Sequence, residues 1–299
     1  MRRPTTVEVM LLTTVVLWAL NLTVSRYLLT HGFAPLAYST LRYGIAAALF
    51  VVLTIALERT LRIARRDLLL VGAAAALLFL NQLGFVFALE RTTASTVGLI
   101  LGATPVFAAL IGLTAGLERV GGRFWLATGV SFAGVALVAT GAGELSGDVA
   151  GNLLAVVTAV TWAGYSVLIT PLMQRYSPYR VSALVLVTTE AALSVAGGPQ
   201  TADQELALGW WVWLLFAFAV LGPLVLTNVL WFRSLHRIGA ARATLAANLQ
   251  PFVAVVFAVV LLAETITLMQ LAGGSLIAAG IALARRRPAR VAAAPESRR

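Results

Sequence analysis

The sequence contains no cysteine and no lysine; all of its basic side chains are arginine. Without thiols there are no disulfides, thiolate zinc sites or iron–sulfur clusters. Without lysine there is no Walker A motif, and so no self-contained ATPase, and no Schiff base. Histidine is nearly as scarce. His31 and His236 are far apart, lack metal-ligand spacing and read as interfacial loop residues. The acids are scattered along the chain, so no convergent nucleophile, acid–base pair or metal site suggests an enzyme. No cofactor and no metal are expected. A channel is disfavoured by the lack of a charged or carbonyl-rich filter motif.

Charge is also in short supply. Only 11% of the 299 residues are charged, 60% are hydrophobic and mean hydropathy is +0.91. A soluble domain carries about 25% charged residues, so this chain lacks the polar surface to cover itself in water. Lipid is the alternative solvent, and one span there needs about 20 mainly apolar residues. Apolar runs bounded by arginine, glycine or proline lie near 7–28, 34–57, 67–89, 92–116, 123–141, 149–171, 178–197, 208–232, 239–262 and 267–285. The fold class expected is therefore all-α integral membrane, with ten transmembrane helices. The first run is too long for a signal h-region and has no convincing small-residue cleavage site, so it reads as a retained span.

Arginine placement sets the orientation. Nearly all of the arginines fall at the two ends and in the even-numbered loops, whereas the loops at 141–150 and 198–207 carry Glu144, Asp148, Asp203 and Glu205. Both termini are expected in the cytoplasm, in a multi-pass protein of the cytoplasmic (inner) membrane. The formal charge of +10 then faces anionic lipid and calls for no nucleic acid.

The two halves of the chain repeat. Arg91, Ala94, Leu99, Pro105, Ala108, Glu118, Gly134, Ala136 and Leu137 match Arg237, Ala240, Leu245, Pro251, Ala254, Glu264, Gly280, Ala282 and Leu283 at a constant shift of 146. Weaker echoes link Asn81, Leu83 and Phe85 to Asn228, Leu230 and Phe232, and Trp18-Ala19 to Trp162-Ala163. The unit has five spans, so the second copy must enter the membrane from the opposite side. Two inverted five-helix repeats are expected, residues 1–143 and 144–287, followed by a disordered cytoplasmic tail at 288–299. Secondary transporters commonly have this architecture, with substrate bound near the midplane in a central cavity.

Leu17-Trp18-Ala19-Leu20-Asn21, Leu41-Arg42-Tyr43, Thr104-Pro105-Val106-Phe107, Leu117-Glu118-Arg119 and the echo Gln250-Pro251-Phe252 with Ala263-Glu264 resemble the drug/metabolite transporter superfamily, in particular its EamA-type ten-helix members. The resemblance covers residues 7 to 285. It implies a helical bundle that moves metabolites across the cytoplasmic membrane, many such proteins looking like exporters of amino acids or related compounds. Others in the superfamily handle drugs, so export of hydrophobic compounds is the alternative. In one departure the second-half tryptophan is followed by Gly164-Tyr165 where span one has Leu20-Asn21, so the two halves of the cavity need not be chemically alike.

Polar stripes mark the helices expected to line that cavity. Trp18, Asn21 and Ser25 share one face of span one; Thr158, Trp162 and Tyr165 share one of span six. Asn81 with Phe85, Asn228 with Trp231, and Thr244, Asn248 and Pro251 form similar sets. The cavity-lining candidates are Trp18, Asn21, Asn81, Gln82, Trp162, Tyr165, Asn228, Trp231 and Asn248. A plainer account is that these amides tie helices together, each bond contributing about 0.6–2 kcal/mol. Pro105 and Pro251 fall near mid-span and are expected to act as paired hinges. Arg42 and Glu190, at similar depths in spans two and seven, are expected to form a structural ion pair, with proton coupling through Glu190 as the sharper alternative. Gly98 and Gly102 read as a close-packing step, and Trp210, Trp211 and Trp213 as an interfacial belt. Glu118 and Glu264 read as latches to neighbouring elements. Expected partners are a small-molecule substrate and the bilayer; the pattern is compatible with either a monomer or a homodimer.

Overall fold

In hydrocarbon every backbone polar group needs a partner within its own segment, so long apolar runs become helices. The computed structural model describes residues 6–114, 122–140, 149–238 and 249–285. Asn248, Glu118 and the tail at 288–299 lie outside these residues. The described chain is all-helical: α1 (Thr6–Thr30), α2 (Pro35–Glu58), α3 (Leu68–Arg91), α4 (Ala94–Leu101), α5 (Thr104–Thr114), α6 (Gly122–Thr140), α7 (Val149–Arg175), α8 (Pro178–Ala202), α9 (Trp210–Val220), α10 (Thr227–Ile238), α11 (Gln250–Leu262) and α12 (Leu268–Arg285). Seven helical stretches are long and apolar enough to cross a membrane; the segments Trp125–Val138, Gln250–Leu262 and Leu268–Leu283 are shorter apolar helices.

Helix starts follow local chemistry. Pro35 and Pro178 stand in the first turns of α2 and α8, where a missing N–H costs nothing. Thr93 caps α4 and Ser177 caps α8, each hydroxyl accepting from a backbone N–H at 3.2 Å.

Two runs that read as single spans are broken. The fourth divides at Gly102-Ala103, between α4 and α5. Pro105 has no N–H to return to the Leu101 carbonyl, and the Thr104 hydroxyl donates to that carbonyl instead at 2.6 Å. The eighth passes from α9 through a π-helical segment, Leu221–Leu226, into α10. Pro223 lies inside that segment and likewise leaves the Ala219 carbonyl without its usual donor.

The helices pair tightly. α2 lies along α8, α3 along α7 and α6 along α12, while α1 packs against α10 and α11, α4 against α11, and α7 against α4 and α5. Small residues permit the closest crossings. A Cβ at Gly134 would stand 2.6 Å from the Gly273 carbonyl oxygen, and one at Gly280 2.1 Å from Ser131 Oγ. The Gly98–Gly102 step meets α11 directly: a Cβ at Gly98 would lie 3.1 Å from Ala254 Cβ, and one at Gly102 3.2 Å from Pro251 Cγ. The two expected hinge regions therefore touch.

Loops fasten each end of the bundle. At one end Glu58 receives Arg180 Nη2 at 2.7 Å and the Ser177 hydroxyl, while Asp67 receives Arg175 Nη1 at 2.5 Å and the Tyr176 hydroxyl at 2.7 Å. At the other end Gln204 Oε1 accepts from the Ala34 N–H and Gln200 Oε1 from the Leu36 N–H, at 2.9 and 2.6 Å. Glu264 behaves as the latch expected of it. Its carboxylate accepts from the Ala94 and Ser95 N–H groups at the start of α4 and from the Ser95 hydroxyl, at 2.6–2.9 Å.

Candidate substrate site

The α1 stripe leads into the middle of the bundle. Asn21 and Ser25 are buried, and Trp18, one turn towards the N-terminus, is half-buried. Ser25 Oγ donates to Asn21 Oδ1 at 3.4 Å and shares a hydrogen bond with the Tyr38 hydroxyl at 2.8 Å. Arg42, one turn beyond Tyr38 on α2, donates from Nη2 to Asn21 Oδ1 at 3.2 Å. Its guanidinium lies over the Tyr38 ring, 5.7 Å from the centroid. Arg42 Nε donates to the Ala219 carbonyl at 3.1 Å, the carbonyl deprived of its helical donor by Pro223. The π-helical segment thus makes an acceptor for a buried arginine.

The network continues along α10. Trp18 Nε1 donates to Thr227 Oγ1 at 2.8 Å, and Thr227 in turn donates to the Pro223 carbonyl at 2.6 Å. The Trp18 and Trp231 rings are 5.2 Å apart and tilted. Three of the expected lining residues, Trp18, Asn21 and Trp231, therefore meet around Arg42, Tyr38 and the irregular segment of the ninth and tenth helices.

Two other candidates tie helices together. Asn81 Nδ2 donates to the Thr158 carbonyl at 2.8 Å, tying α3 to α7, and Gln82 Nε2 donates to Ser39 Oγ at 3.3 Å, tying α3 to α2. Asn228 Nδ2 donates to the Leu224 carbonyl within its own helix. Trp162 and Tyr165 pair on α7 with centroids 5.3 Å apart; Trp162 is 37% exposed. His31 stands exposed at the end of α1, its ring nitrogen against the Tyr27 carbonyl at 2.8 Å.

The expected ion pair between Arg42 and Glu190 is not formed. Arg42 turns towards α1 and α9, whereas the Glu190 carboxylate lies against Gly44, 3.5 Å from where a Cβ would stand. Positions 42 and 44 are about 160° apart round a helix, so equal depth does not bring these groups together. Glu190 Oε1 instead accepts from Ser194 Oγ at 2.7 Å, and its Oε2 is buried without a partner.

Several contributors escaped the sequence reading. Tyr38 has a visible signal, one helical turn before Arg42. Pro223 has one too, a proline inside an apolar run, and it accounts for the exposed Ala219 carbonyl. Asn152 and Gln270 are buried amides at helix ends; Asn152 Oδ1 accepts from Thr92 Oγ1, and Gln270 donates to Thr96 Oγ1, both at 2.8 Å. Nothing in their sequence surroundings separates them from surface amides.

Comparison with known proteins agrees with this architecture. The EamA-like transporter family matches residues 5–140 and 149–286. An uncharacterized transporter of Archaeoglobus fulgidus is 28% identical over 222 residues, spanning 74% of this chain and 78% of that protein. A second uncharacterized transporter of that organism is 26% identical over 281 residues, spanning 91% of this chain and 96% of its own. A solved crystal structure superposes with a TM-score of 0.63 over 95% of this chain and 97% of the other, at 21% identity, which speaks for the fold alone. Apolar spans, helices broken inside the bundle, a buried polar network and a family match along most of its length lead to one conclusion: the chain is a multi-pass membrane transporter of the EamA-like family, within the drug/metabolite transporter superfamily.

Proposed function

We propose that the protein is a secondary transporter that exports small polar metabolites, amino acids or related compounds, across the cytoplasmic membrane by alternating access. In this reading two inverted five-helix repeats, residues 1–143 and 144–287, enclose a central site, and both termini face the cytoplasm. The supporting observation is the pattern of helix pairing. The α2–α8 and α6–α12 pairs join equivalent helices of the two halves. Exchanging the halves turns α3 on α7 into α10 on α1, and α1 on α11 into α7 against α4 and α5, all of which are packed. An inverted duplication produces this self-consistency, and rocking of one repeat against the other is its usual use.

Pro105 and Pro251 are the proposed hinges, because irregular backbone at membrane depth is tolerated only beside protein or water. Replacing Pro251 with alanine should slow transport several-fold while lowering expression little; the reverse would make it a packing kink. Glu190, with its unpartnered Oε2, is the coupling candidate. Glu190→Gln should then abolish flux driven by a pH gradient but spare exchange of substrate at equilibrium. Substrate-panel uptake and counterflow in proteoliposomes, with and without a pH gradient, tests the whole reading. Absence of saturable flux for any compound would refute it.

Export of hydrophobic compounds is the second reading, and one observation favours it. A mostly apolar cavity of about 250 Å³, lined by Leu99, Gly102, Pro251, Phe252, Ile277 and Ile281 among others, lies between α4, α11 and α12. Saturable flux of lipophilic cations with none of amino acids would select it.

A further inference from the structure

Arg42 is 4% exposed and lies about two turns inside its helix, yet both of its hydrogen bonds go to neutral oxygens, Asn21 Oδ1 and the Ala219 carbonyl. Hydrogen bonds to amides satisfy donors but leave the charge unneutralised, and an uncompensated charge inside a bundle is costly. The acid at matching depth, Glu190, is held on the other side of α2 by Gly44 and Ser194. Among the described residues no carboxylate bonds to the guanidinium, and Nη1 makes no bond at all.

Everything around the group fixes its plane. The guanidinium carbon stands over the Tyr38 ring, Asn21 Oδ1 is itself held by Ser25, and the Ala219 carbonyl is released by the backbone irregularity at Pro223. A guanidinium fork held in this way suits a bidentate carboxylate better than a spherical or neutral ligand. One turn along α1, on the same face as Asn21, the tilted Trp18–Trp231 pair offers an aromatic surface, with the Trp18 N–H already committed to Thr227.

We propose that Arg42 is the anchor for the carboxylate of a small transported metabolite, whose apolar or aromatic body rests on Trp18 and Trp231. This assignment rests on the transport reading and narrows it to carboxylate-bearing substrates. It also gives the irregular segment at 221–226 a purpose: its Pro223 frees the Ala219 carbonyl, which keeps an unpaired arginine oriented until substrate arrives.

Two readouts test it: proteoliposome counterflow, and thermal stabilisation of the detergent-solubilised protein. The probes are the standard amino acids, their primary amides, and a pool of short mono- and dicarboxylic acids. Wild-type protein should exchange, and be stabilised by, at least one acid, with the matching amide at least about tenfold weaker. Arg42→Gln should lose that preference, while Arg42→Lys keeps part of it. Asn21→Asp guards against misfolding as an explanation, because it places a carboxylate where Arg42 already points. It should weaken acid binding at least about tenfold while leaving the melting temperature equal or higher. If acids and amides move equally and the variants affect both alike, Arg42 is structural and the proposal falls. If no acid gives an Arg42-dependent response in either readout, it falls as well. Arg42-dependent stabilisation by acids without flux would instead keep the carboxylate site and refute transport.

Discussion

The two ends of the bundle are fastened by different chemistry. At one end the α2–α3 loop grips the α7–α8 connection through Glu58 with Arg180 and Asp67 with Arg175. At the other, the last turn of α8 and the loop after it grip the start of α2 through Gln200 and Gln204, which accept from the Leu36 and Ala34 N–H groups. An aromatic cluster supports that second end, with Phe33 and Phe216 stacked at 5.1 Å and Trp213 edge-on to Phe216 at 5.6 Å. The contrast shows that similar placement does not require similar chemistry. Closing an end requires the facing elements to bond, and a neutral amide can do this in place of an ion pair. Charge is concentrated at the end that carries the arginine-rich loops.

The strongest way to break this comparison is to remove the buried member of the charged end. Asp67 is 1% exposed and holds both Arg175 and Tyr176. Asp67→Ala should cost about 2–4 kcal/mol in reversible denaturation in detergent, because two charge-assisted bonds disappear. Arg175 is itself half-exposed and can return to water, which limits the loss. Gln204→Ala at the neutral end should cost about 1–2 kcal/mol, since the Ala34 N–H and the Gly32 carbonyl each lose a partner. Equal losses would mean that the ionic end owes its stability to apolar contacts and not to its charges.

The difference between the two ends also bears on how far the sequence could be read. Span positions were legible because hydropathy reports depth directly. The Gly98–Gly102 contact and the Glu264 latch were legible because small residues and helix N-termini have few other uses at those positions. Facing was not legible. A helix apolar on all sides has no polar face to orient it, so Arg42 and Glu190 shared a depth and were expected to share a bond. For the same reason Asn81 looked like a cavity residue although its amide ties two helices through the Thr158 carbonyl. The π-helical segment was hidden differently. Proline predicts a disturbance but not its form, and whether Pro223 kinks, breaks or widens the helix depends on a tertiary donor, Arg42, nearly two hundred residues away in sequence.

The smallest effect sharpens the comparison most. The Glu58–Arg180 pair is only partly shielded, with side-chain exposures of 17% and 20%. Such a pair contributes about 0.5–1 kcal/mol at low ionic strength. A double-mutant cycle of Glu58→Gln and Arg180→Gln isolates that coupling from the Ser177 bond and the packing of both stems. Raising salt from about 0.05 M to about 0.5 M shortens the Debye length to a few ångströms, so the coupling should fall by about half. The Gln204–Ala34 interaction joins two neutral dipoles and should not respond. A salt-independent cycle at Glu58 would show that the direct hydrogen bonds from Arg180 Nε and Nη2 to Glu58 Oε2, not the long-range field, hold the charged end shut.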